Sequence, residues 1–123
     1  MLSLNAERGE KLVKIGEIEL VLEPSFERIA KCESSLGLSL VQLVGEYSAN
    51  KRMSFLEIAT TIKCFVKDSD PKAVTVQQLG TAIATNGGLL SATKILTDFL
   101  SEILLGKKVP DSEGNVPAEA DQA

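Results

Sequence analysis

Histidine is absent from all 123 residues. With it go the commonest general base, the Ser-His and Cys-His nucleophile pairs and most transition-metal sites. Lysine and carboxylate chemistry remain. Asp98 and Glu102 stand four apart, a spacing that puts two carboxylates on one helix face, but the rest of that face is polar and reads as solvated. Asp68-Ser69-Asp70 begins like a calcium loop. Its sixth position is Ala73 where a sharp turn needs glycine, and its twelfth is Leu79 where a bidentate Glu is needed, so the cation reading fails. Gly106-Lys107-Lys108 lacks the upstream glycine and the hydroxyl of a phosphate loop. Gly37-Leu38-Ser39-Leu40-Val41 misses the second glycine of a nucleophile elbow. Gly87-Gly88, ahead of a helix, reads as a turn in preference to an anion cradle. Cys32 and Cys64 have no CxxC spacing. They are either two reduced, buried apolar residues or a disulfide pair. The expectation is a protein with no catalytic residues, no cofactor and no metal.

The bulk properties exclude further classes. With 13 basic and 17 acidic residues the net charge is −4, against a nucleic-acid surface, which needs clustered Lys and Arg. The segments flanking Gly37 have the outline of a helix-turn-helix, but the second offers Gln42 and Glu46 and no cation for phosphate or guanine. No apolar run approaches the ~20 residues that cross a bilayer. Met1 to Asn5 lacks the basic and apolar blocks of a signal peptide, so the expected compartment is bacterial (host) cytoplasm. Four Phe, one Tyr and no Trp leave the core to Leu, Ile and Val.

The elements follow from periodicity and punctuation. Residues 10–23 read as a β-hairpin: Ile18, Leu20 and Leu22 alternate with Glu17, Glu19 and Glu23, and Gly16-Glu17 suits a two-residue turn with positive φ at its first position. Pro24-Ser25 opens a helix over 26–36 that Gly37 closes. Ser39…Gln42, Ser54…Glu57 and Thr75…Gln78 each have the form of a capping box. They predict helices over 40–47, 55–67 and 76–85, with Asp68 to Pro71 breaking the chain between the last two. A fifth helix, 89–105, carries one broad apolar stripe that includes Leu96, Phe99, Leu100, Ile103 and Leu104. The result is an α+β fold, mainly α, in a single domain over 1–106. Residues 107–123, with two of the four prolines and little apolar content, read as a disordered tail.

The order of these segments resembles a known family. Asn5-Ala6-Glu7-Arg8-Gly9-Glu10 leads into a hairpin centred on Gly16, then Leu22-x-Pro-Ser, a helix with Ile29 and Glu33, and the junction Leu36-Gly37-Leu38-Ser39-Leu40. This is similar to the phage tail assembly chaperones related to a gene transfer agent protein, which commonly begin N-x-x-R-G-E. The chain departs from that pattern at Cys64-Phe65-Val66-Lys67 and Pro71, where the family has a glycine-containing turn.

The resemblance implies a role in phage or prophage tail assembly. Such chaperones coat the long tape-measure protein, shield its apolar segments and help recruit tail tube protein. The alternative is a small structural virion protein, a head–tail connector or minor tail subunit. Partner contacts are expected on the last helix, at Leu96, Phe99, Leu100, Ile103 or Leu104. The strand edge with Ile18 and Leu20 is the second choice, because a hairpin edge can recruit a strand from a neighbouring subunit or a client.

Overall fold

The structure, a computed structural model, describes residues 9–67 and 74–106. Asn5, Arg8, the Asp68-to-Pro71 break and the segment 107–123 lie outside the described residues. The fold is an antiparallel hairpin followed by five helices.

Strands β1 (Lys11–Ile15) and β2 (Ile18–Leu22) pair with Val13 opposite Leu20 and Ile15 opposite Ile18. Their alternation turns Val13, Ile15, Leu20 and Leu22 into the core and leaves Lys14 and Glu19 in solvent. Gly16 makes the turn at φ +62, and a Cβ there would stand 3.0 Å from the Ala82 carbonyl oxygen. The position needs glycine twice over, for the left-handed backbone and for the room.

The helices are α1 (Phe26–Leu36), α2 (Leu40–Ser48), α3 (Phe55–Phe65), α4 (Val76–Ala82) and α5 (Leu89–Leu105). Four begin at a hydroxyl, on Ser25, Ser39, Ser54 and Thr75, that accepts from the amide three residues on. Each such cap contributes about 1 kcal/mol. The boxes at Ser39–Gln42 and Thr75–Gln78 are reciprocal. At Ser54 the return arm is missing, because Glu57 turns its carboxylate to Arg52 and Tyr47.

Helix α3 lies at the centre, against α1, α4 and α5. It buries Ile58, Ala59, Ile62 and Phe65, and the Phe65 ring meets Phe99 of α5 edge-to-face at 5.4 Å. Helix α2 packs on α5.

Helix α2 runs one residue past the expected end, to Ser48, and two helices end earlier than the sequence expectation. Helix α3 stops at Phe65, two residues before the expected end at Lys67, because Val66 is extended (φ −66°, ψ 129°). There the chain joins the outer edge of β2: Glu23 N donates to Phe65 O at 2.7 Å and Lys67 N to Val21 O at 2.8 Å. These pairings make an isolated β-bridge, Val66 with Leu22, on the outer edge of β2. Helix α4 keeps α-geometry only to Ala82 and continues as a π-helical turn, Ile83–Gly87. That wider turn places Gly87 against Gly16, where an added Cβ would sit 3.1 Å from the Gly16 nitrogen.

Candidate interaction surface

At 100° per residue the apolar positions of α5 occupy most of its circumference, and the structure divides them in two. Leu96, Phe99 and Leu100 are buried in the core together with Leu20. Ile18 and Ile103 are half-buried at the margin of that core. Of the expected α5 contact residues, only Leu104 faces largely outward, 43 % exposed. A partner reaches Leu96, Phe99 and Leu100 only by displacing the packing they supply.

The outward arc holds two leucines that the sequence reading passed over. Leu90 and Leu105 are each 67 % exposed, and their spacing aligns them with Lys94, Asp98 and Ser101. The signal was present in the helical wheel, since both leucines fall on the arc assigned to polar residues. Leu104 and Leu105 together make an apolar tip beside the C-cap at Gly106.

The strand edge is partly occupied. Residues 65–67 already pair with β2 at Val21 and Glu23, so a client strand cannot add there. Of the motif residues, Gly9 approaches Pro24, whose Cγ would be 2.9 Å from an added Cβ, and Gly37 caps α1. Glu10 is buried and holds Lys67 Nζ at 2.9 Å, tying the start of the hairpin to the segment that follows α3. Nearby, Arg28 Nε donates to Glu23 at 3.3 Å. These residues shape the hairpin's junction with the helices.

The densest polar constellation among the described residues joins α2 to α3. Arg52 grips Glu57 with two bonds of 2.7 Å, and this raises the arginine's pKa. Tyr47 O–H donates to the same carboxylate at 3.1 Å and lies 3.0 Å from the Thr61 hydroxyl. Burial is the main cause that pushes the Tyr47 pKa up. Every member has a partner inside the group, which makes it a staple between helices. Asp98 and Glu102, the candidate carboxylate pair, instead take Lys94 at 3.3 Å and Lys11 at 3.7 Å.

An open groove of about 620 Å³ runs between the hairpin turn and α4, lined by Glu17, Ile18, Thr75, Gln77, Gln78, Thr81, Ala82 and Asn86. Thr75 and Gln78 are committed to capping α4. The groove thus presents amides, hydroxyls and a single carboxylate on a wall that is mostly apolar, with Ile18 and Ala82 among its lining. No described helix is long and apolar enough to cross a membrane, and no cluster of three metal-ligating side chains occurs among the described residues. Cys32 and Cys64 carry free thiols. No protein-family model, curated protein or solved structure matches the chain.

Proposed function

We propose that the protein is a non-catalytic tail assembly chaperone of a phage or prophage. It would act in the host cytoplasm, holding apolar segments of a tape-measure protein while tail tube protein assembles. The class comes from the resemblance between Asn5 and Leu40. The observation that carries the binding surface is the outward arc of α5, where Leu90, Leu104 and Leu105 stand in solvent on a helix whose opposite arc is already core.

Burying one exposed leucine contributes about 1.5–3 kcal/mol, so a patch this small gives weak single contacts. Weak contacts suit a chaperone that must leave as the tube grows, and several copies along one client restore holding strength by avidity.

The test is co-expression with a tape-measure protein and pull-down of its fragments. The chaperone should raise the client's soluble yield. Leu104→Asp with Leu105→Asp should abolish capture while leaving the chaperone's Tm unchanged. Failure of every tape-measure fragment to bind defeats the proposal. So does recovery of the chain from finished particles at fixed stoichiometry, which marks a structural subunit.

A further inference from the structure

Backbone hydrogen bonding leaves one side of the hairpin open. The two-residue turn makes Ile15 and Ile18 a bonded pair, so Val13 and Lys11 also bond across to β2. Leu12 and Lys14, the positions between, turn their amides and carbonyls the other way. The same alternation operates on β2, where the outward groups of Val21 and Glu23 take Lys67 N and Phe65 O. That edge is closed. On β1 the backbone N–H and C=O of Leu12 and Lys14 bond to nothing among the described residues, and Leu12 is 50 % exposed.

We infer that β1 is a self-association edge, which pairs antiparallel with the β1 of a second copy about a two-fold axis through Val13. The inference goes beyond the proposed chaperone role and uses none of the leucines assigned to client capture.

Self-complementarity selects the occupant. With the axis at Val13, all five residues of β1 overlap, and Leu12 of each copy stands opposite Lys14 of the other. Leu12 N–H then donates to the Lys14 carbonyl oxygen, and Lys14 N–H to the Leu12 carbonyl oxygen, in both symmetric pairs. No outward group of either strand is left over. Charge selects the register. An edge lysine guards a sheet against indiscriminate pairing, and moving the axis to Lys14 sets the two lysines face to face, which destabilises. Moving it to Leu12 brings Glu10 opposite Lys14, but Glu10 is buried and already holds Lys67 Nζ at 2.9 Å. At Val13 the stem of Lys14 covers Leu12 of the copy, with Glu19 of its own hairpin on the other side. A foreign strand would need an apolar residue opposite Lys14, and the chain's own β1 supplies one. Five residues a side make a small interface, so the dimer is weak and depends on concentration.

The test is sedimentation equilibrium of the full chain from micromolar to millimolar concentration, with amide hydrogen exchange followed by NMR at both ends of that range. The mass should rise from one chain to two. The Leu12 and Lys14 amides should exchange freely in the dilute protein and slow about tenfold in the concentrated one. Val13 and Ile15, bonded to β2, should stay protected throughout. Leu12→Pro removes an outward donor at an edge position that accepts proline; with its circular dichroism unchanged, it should stay monomeric. Leu104→Asp with Leu105→Asp should still dimerise, so that self-association and client capture are lost separately. The inference is overturned if the chain is monomeric throughout, if it dimerises while Leu12 and Lys14 exchange freely, or if folded Leu12→Pro still dimerises. It is also overturned if the two-leucine variant is monomeric, or if the β1 amides gain protection only when a tape-measure fragment is added, which makes the edge a client site.

Discussion

Removing one oxygen from the buried tyrosine tests whether the Tyr47–Glu57–Thr61 group is a self-satisfied staple. In Tyr47→Phe, Glu57 loses the bond of 3.1 Å and Thr61 the contact of 3.0 Å. Neither is orphaned. Glu57 keeps both 2.7 Å bonds to Arg52, and the Thr61 hydroxyl keeps its 2.8 Å bond to the Glu57 carbonyl oxygen. A hydrogen bond to a charged group contributes ~1.5–3 kcal/mol, and the low end applies when its removal leaves no buried group unpaired. The expected loss is about 1.5 kcal/mol, or a fall in Tm of about 7 °C.

The loss should depend on pH with a definite sign. Burial raises the folded pKa of Tyr47 above its ordinary value. The native state therefore holds a proton that the unfolded state releases above about pH 10. Stability from this source is fully present below that pH and falls as pH rises above it, by about 1.4 kcal/mol at pH ~11. Urea denaturation of both proteins should therefore show a difference of ~1.5 kcal/mol at pH ~9 that nearly vanishes at pH ~11. Tyr47 is the only tyrosine and tryptophan is absent, so near-ultraviolet phenolate absorbance reports this one group. Native titration near pH ~10, or a difference that ignores pH, would refute the reasoning.

Gly16 and Gly37 both have left-handed backbone, at φ +62 and φ +72, but only Gly16 has a neighbour within reach of an added Cβ. Gly37→Ala should cost about 1 kcal/mol. Gly16→Ala should cost about 3 kcal/mol, since the Ala82 backbone cannot swing aside; denaturant midpoints measured side by side would separate the two costs. Phe99→Ala should lose about 3–5 kcal/mol by emptying the Phe65 contact. Leu105→Asp, outside the core, should stay within ~0.5 kcal/mol in the same assay.

Short-range chemistry made much of this protein legible in its sequence. The hairpin register follows from alternation at Ile18, Leu20 and Leu22, and the turn from Gly16. The helix starts follow from Ser25, Ser39, Ser54 and Thr75, because a cap satisfies amides only a few residues away. The ends set by distant partners were not legible. Val66 leaves α3 to pair with Leu22, and Gly87 meets Gly16 through a π-helical turn. No local pattern encodes either contact.

The surface divides in the same way. Apolar residues occupy so much of α5 that periodicity alone could not say which arc α2 and α3 would cover and which would be left for a partner. Packing assigned Leu96, Phe99 and Leu100 to the interior and left Leu90, Leu104 and Leu105 outside. It also set Cys32 and Cys64 within one core, because side-chain neighbours across two helices are set by where those helices meet and not by their separation along the chain.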